Sequence, residues 1–221
     1  MQKILLIAAL VAIVVSPAAA ALKVTVSNHP DRASSGGVFT ATDASTPAGS
    51  LPDDLVFGTF CIETNEFLGL GSTYFVTINT AAVDGGVGGG NPDPLDFKTA
   101  YLYHTYRTNA SALDSCLSSG SFKTNAQGGN VADRKLATAQ LQDAIWWIEQ
   151  EGGSNNGLVT CATNAGWTSI GNVRVMNLWG DAAHTQNHQD LLTIIPAPGA
   201  VLLGMLGLSA VGWIKRRRSM I

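Results

Sequence analysis

Three cysteines, Cys61, Cys116 and Cys161, are the residues most able to do chemistry in this chain. In an oxidising compartment an odd cysteine needs a separate explanation. Cys116 and Cys161 lie in stretches rich in Ser, Gly, Asn and Thr, on either side of a strongly helical segment. Counting and compartment pair these two, closing a loop of about 45 residues that stabilises the fold by a few kcal/mol in the chain-entropy picture. Cys61 stands instead in an apolar run, Phe60-Cys61-Ile62-Glu63. Composition leaves it as a buried inert thiol or half of an intermolecular bridge. A Cys61 hydrolase using His104, His184 or His188 would need an imidazole and an orienting Asn or Asp at a recognisable spacing, and the sequence has none. Asp84, Asp93 and Asp96 flank a glycine-rich run but lack the closing Glu of an EF-hand loop, so they read as a solvated turn. There is no P-loop, dinucleotide fingerprint or zinc-type spacing, and the expectation is no metal and no cofactor.

The compartment follows from the ends of the chain. Met1-Gln2-Lys3, an apolar run from Ile4 to Val15 and a small-residue stretch through Ala20 form the pattern of a secretory signal peptide over 1–20. At the other end Pro196-Ala197-Pro198 precedes an apolar run to Ile214, and Lys215, Arg216, Arg217 and Arg218 follow it. Basic residues directly after an apolar segment act as a stop-transfer signal with their end in the cytoplasm. The run is short for a bilayer core of roughly 30 Å, so it anchors weakly. This arrangement over 196–221 resembles the PEP-CTERM sorting signal, with Ala197 where that family has Glu. The resemblance implies an exosortase-type processing enzyme as a partner. It also implies the inner membrane as a temporary anchor, and the cell surface or extracellular matrix as the destination.

Setting aside Lys3 and the four terminal basic residues leaves 8 basic against 16 acidic side chains between the two end segments, a net charge of −8. No basic groove remains to neutralise phosphates, so nucleic acid is excluded as a partner. With 46% apolar and 13% charged residues, the chain of 221 can bury a core, and 21–195 has the length of one domain. Leu22–Val26, Phe57–Ile62 and Ser72–Thr80 alternate or are rich in β-branched and aromatic residues, as strands are. The stretch from Asn28 to Asp54 reads as loop with one strand near 37–42, and Asp84–Pro92 reads as a flexible connector. Asp96 caps a helix whose stripe is Phe97, Ala100, Tyr101 and His104. A second helix spans 132–151, with Ala137, Leu141, Ala144, Ile145 and Ile148 as its apolar face and Gly152-Gly153 as its stop. After it comes loop, then a strand or short helix over 173–179. The expected class is α+β, a β-sheet or barrel-like lobe followed by a helical lobe, flanked by the signal peptide and a C-terminal transmembrane segment.

The pair Phe60-Cys61-Ile62-Glu63 and Leu141-Gln142-Asp143-Ala144-Ile145-Trp146, in that order on an exported chain, resembles the Cys–Gln thioester domain of bacterial surface proteins. Leu141 replaces the family's Thr. Asp93-Pro94-Leu95-Asp96 and Ala100-Tyr101-Leu102-Tyr103 add to the likeness. The resemblance implies a thioester between the Cys61 thiol and the Gln142 side chain, open to attack by an amine-bearing surface or matrix polymer. This would be single-turnover attachment and not enzymatic turnover. Such a bond needs the reacting atoms held at about 3–3.5 Å and water kept out. Gln142 sits at the edge of the apolar stripe, level with Thr138, Ile145 and Trp146, where a helix can meet a strand. Trp146, Trp147, Tyr101 and Tyr103 supply rings for a wall, while the residues alone name no donor for the carbonyl. Glu63 and Glu149 read as exposed charges, and His104 as a residue on a helix face. The alternative is a non-covalent structural or binding module of the matrix, with Cys61 as a buried thiol.

Overall fold

A computed structural model describes residues 21–33 and 36–195. The signal-peptide segment, Pro196, Ala197, Pro198, the apolar run after them and Arg216–Arg218 lie outside the described residues. Among those described, no helix is long and apolar enough to cross a membrane.

The chain is α+β. Strands β1 (Lys23–Asn28), β2 (Phe39–Asp43), β3 (Val56–Thr59), β4 (Thr73–Asn79), β5 (Ala81–Ala82) and β6 (Asp93–Pro94) precede helices α1 (Phe97–Asn109), α2 (Val131–Ile148) and α3 (Gly157–Ala165). Strands β7 (Val173–Trp179) and β8 (Asn187–Ile194) follow. Six strands form an antiparallel sheet in the order β3-β2-β1-β4-β7-β8, and β5 pairs with β6. The helical lobe is therefore an insertion, and the last third of the sheet comes back after it. Neither β8 nor α3 was expected from the sequence. Asn187-His188-Gln189-Asp190 is too polar to look like a buried strand, and the segment after Gly153 is dominated by Ser, Asn and Gly.

The sheet closes on itself. The residues just after β3 pair with β8: Ile62 N–H donates to Asp190 O at 3.1 Å, and Leu192 N–H donates to Phe60 O at 3.2 Å. Thr59 Oγ1 donates to Leu192 O at 2.6 Å, and Cys61 stands opposite Leu191. Each strand sends apolar side chains inward, among them Val24, Val26, Phe39, Ala41, Phe57, Tyr74, Val76, Met176, Leu178 and Leu191, and these form one core. Closure satisfies the backbone groups of two edges that would otherwise be open to pairing. Strands β7 and β8 are buried on both faces because the helices cover their outer side.

That outer side, with Phe60, Ile62, Val173, Val175 and Leu192, packs on Leu102, Tyr103, Leu141, Ile145 and Leu158 to form a second core. Asp96 Oδ1 accepts from Lys98 N–H at 2.7 Å and caps α1 as expected. The buried face of α1 is Thr99, Ala100, Leu102 and Tyr103, not the anticipated stripe, and Phe97 is exposed. Tyr101 and His104 pack against Trp167 instead, with centroids 5.6 and 5.3 Å away. Helix α2 begins where the Asn130 side chain accepts from Asp133 N–H at 2.9 Å. Past its end the chain turns through Gly153, at φ +67°, where a Cβ would meet Asp143 O at 2.2 Å. The Cys116–Cys161 disulfide ties the short helical turn after α1 to α3, with Cα atoms 6.2 Å apart. Arg107 joins the lobe to the barrel by pairing with Asp53 at 3.0 Å, and Asp53 also accepts from Thr193 Oγ1 and Ile194 N–H.

Candidate functional site

Cys61 lies on the seam that closes the barrel, with its side chain in the barrel core beside Leu191. Helix α2 crosses that seam with Thr138, Gln142 and Trp146, four residues apart, along one side. Thr138 Oγ1 donates to Asp31 O at 2.7 Å, and Trp146 packs against the barrel core. Gln142, between them and only 1% exposed, joins Cys61 by two reciprocal bonds. Cys61 N–H donates to Gln142 Oε1 at 3.1 Å, and Gln142 Nε2 donates to Cys61 O at 2.9 Å. Gly36, at φ +143°, lets the chain pass close to this helix face. A Cβ there would stand 2.9 Å from Trp146 Cη2 and 3.2 Å from Gln142 Cγ.

The structure thus brings together Cys61 and Gln142, which are 81 positions apart. It also names a donor that the sequence did not, since the Cys61 backbone N–H points at the Gln142 carbonyl oxygen. Of the four rings expected around the bond, only Trp146 lines the cavity at Cys61. Trp147 is exposed, Tyr101 packs on Trp167, and Tyr103 donates to Gly58 O at 2.9 Å within the helical lobe's core. The cavity holds about 370 Å³, and Arg32, Gly36, Phe39, Glu63 and Leu68 line it with Cys61 and Trp146. Its rim carries the exposed Phe67 and Leu70. No histidine lines it among the described residues. His188 packs at a tilt against Tyr74 and His184 lies beside Trp179, so neither belongs to the Cys61 site.

Burial pushes the Cys61 thiol up, and the neighbouring Glu63 carboxyl adds to the effect while Arg32 opposes it. The thiol is therefore protonated at rest, unlike the exposed low-pKa cysteines that react freely with solutes. Any reaction at Cys61 relies on positioning more than on a standing thiolate.

The two glutamates anticipated as exposed are buried. Glu149 forms the end of α2, and its carboxylate accepts from Asp96 N–H at 3.3 Å, tying the end of one helix to the start of another. Burial raises its pKa to about 8. Glu63, 1% exposed, accepts through Oε2 from Gln189 Nε2 at 3.1 Å and Asp190 N–H at 3.3 Å. Burial, then Asp190, then Glu66, push it up to about 10. Glu151, singled out only as part of the helix end, accepts from Thr64, Val87 and Gly88 N–H groups at 3.2, 2.9 and 3.1 Å. It fastens both the segment after Cys61 and the glycine-rich run that had looked like a loose connector.

One grouping went unseen in the sequence. Glu63, Glu66 and Asp190 each bring a carboxylate oxygen within 4.8 Å of the other two. Asp190 lies more than 120 positions from the two glutamates, and only seam closure joins them. Set against known proteins, the chain matches no family model, no curated protein and no solved structure.

Proposed function

We propose that this is an exported surface or matrix protein that forms an internal thioester between Cys61 and Gln142 and uses it once, to attach covalently to an amine. The observation that carries the reading is the reciprocal hydrogen bonding of the Gln142 carboxamide to the Cys61 backbone. It holds the acyl carbon against the residue that bears the thiol, which is the positioning such a reaction depends on. The Cys61 N–H is placed to take up negative charge on Oε1 as the carbonyl is attacked. The sulfur adds to the carbonyl carbon of Gln142, the C–N bond breaks, and the thiol proton leaves with the amide nitrogen as ammonia. An incoming primary amine then forms an amide at Gln142, and the proton it loses returns to Cys61 as the thiol. The cavity beside Cys61 provides the approach, and Trp146 and Phe39 keep much of it apolar. The acceptor fitting this chemistry is a lysine-type amine on a surface or matrix polymer, after delivery through the PEP-CTERM-like tail.

Intact mass of the exported protein tests this directly. The expected result is a deficit of about 17 Da beyond the disulfide hydrogens, the mass of one ammonia. The deficit disappears in Cys61→Ala and in Gln142→Ala. Methylamine then adds its own mass and releases one titratable thiol. Full mass with a free thiol before any treatment excludes the thioester and leaves Gln142 as a clamp in a non-covalent matrix module.

A further inference from the structure

We infer that Glu63, Glu66 and Asp190 form a binding site for a hard divalent cation of the calcium type, which fastens the segment after Cys61 to strand β8. The inference does not rest on the thioester reading.

Two of the three carboxyl groups, Glu63 and Asp190, are 1% and 0% exposed. Each of the three has one oxygen engaged and one left over. Glu63 Oε2 accepts from Gln189 and the Asp190 backbone, Asp190 Oδ2 accepts from Val83 N–H and Asn177 Nδ2, and Glu66 Oε1 accepts from Asn187 Nδ2. Glu63 Oε1, Asp190 Oδ1 and Glu66 Oε2 are buried atoms without any partner, and the amide oxygen Asn187 Oδ1 is another. Buried polar atoms are paired in nearly all folded proteins, so four orphans on side chains this close require a common explanation. As carboxylate and amide oxygens all four accept, so an anion does not satisfy them and a positive centre does. No arginine or lysine forms an ion pair with any of these carboxylates among the described residues.

The spacing fits a calcium ion. Oxygens bound at about 2.4 Å from one ion lie at most about 4.8 Å apart, and calcium accepts mixed carboxylate, amide and water oxygens. Engagement of the other oxygen by N–H donors is how metal-binding carboxylates are oriented. The backbone is also shaped for it. Met176 pairs with Leu191 but Leu178 pairs with His188, so Gln189 and Asp190 together oppose the single residue Asn177. At this β-bulge Gln189 and Asp190 are both buried, and both reach Glu63, one by its side chain and one by its backbone N–H.

The exported full-length protein, stripped with EDTA and titrated with CaCl2 by calorimetry, tests the site. One saturable site is expected, with terbium ions competing for it and the thermal midpoint rising as CaCl2 is added. Glu66→Gln, on the partly exposed member, weakens calcium binding roughly tenfold or more with the far-UV spectrum unchanged. Asp190→Asn abolishes it, and should that variant fail to fold, Glu66→Gln alone decides. No saturable binding up to about 10 mM calcium, or equal affinity in Glu66→Gln, overturns the inference and leaves protons shared among the carboxyl groups. Cys61→Ala separates the two readings, since it binds calcium unchanged whether or not wild type lacks the ammonia mass.

Discussion

Two side-chain links cross this molecule, and they use cysteine in opposite ways. Cys116–Cys161 closes a segment of 45 positions inside the helical lobe, between the helical turn after α1 and α3. Cys61 and Gln142 span 81 positions and join the lobe to the barrel from within the core. The first needs only an oxidising compartment and two Cα atoms 6.2 Å apart. The second has no partner thiol, a proton held on by burial, and a carboxamide fixed to its backbone. The same side chain is therefore a staple in the partly exposed lobe and a buried, protonated thiol beside a fixed carboxamide at the seam.

Removing the staple is the largest perturbation. Cys116→Ser with Cys161→Ser is expected to lower unfolding free energy by about 4 kcal/mol, read from urea denaturation, while the methylamine-dependent release of the Cys61 thiol that the thioester proposal requires persists. Loss of that release as well would show the two links to be one unit. Next comes Gln142→Leu, which leaves the Cys61 N–H and C=O buried without partners and should cost about 2–3 kcal/mol. A cost near zero would mean that the carboxamide is not clamping the seam.

Titration sharpens the contrast at the far end of α2. The Glu149 carboxyl has its pKa raised to about 8 from 4.5, so the folded state holds a proton that the unfolded chain releases. Its contribution to stability is complete below pH 4.5, declines above it and is gone once pH passes about 8. Glu149→Gln should flatten that part of the wild-type profile, with Asp93 and Asp96 as the charges beside it. An identical profile in the variant would assign the slope elsewhere. The smallest effect expected is from Gly36→Ala, about 1 kcal/mol, because a methyl group meets Trp146 and Gln142 at a positive φ. It should change Trp fluorescence and, on the thioester proposal, slow formation of the ammonia-loss form after refolding.

Much of the frame was legible in the sequence. Helix α2 announced itself through its stripe and its glycine stop, and three strands through alternation, because these depend on neighbours close in the chain. The meeting of Cys61 and Gln142 was anticipated through a family likeness, and the edge position of Gln142 agreed with it. The carboxylate cluster was not legible, since Glu63 and Asp190 are joined only by seam closure and the bulge in β8. The polar residues from Asn187 to Asp190 also hid β8, which is buried on both faces. The face of α1 was misread because two of its rings, Phe97 and Tyr101, lie outside the buried face of Thr99, Ala100, Leu102 and Tyr103. Burial of Glu63, Glu149 and Glu151 depends on backbone donors from distant loops, which composition does not reveal.

Closure of the barrel has a mechanical consequence. The chain leaves the fold through β8, which is bonded on one side to β7 and on the other to the residues around Cys61. A pull applied beyond Ile195 runs along β8, so it loads both ladders in shear, and their bonds must give way together instead of one at a time. Such a pull meets the sheet in its strongest direction, through the strand that lies against Cys61.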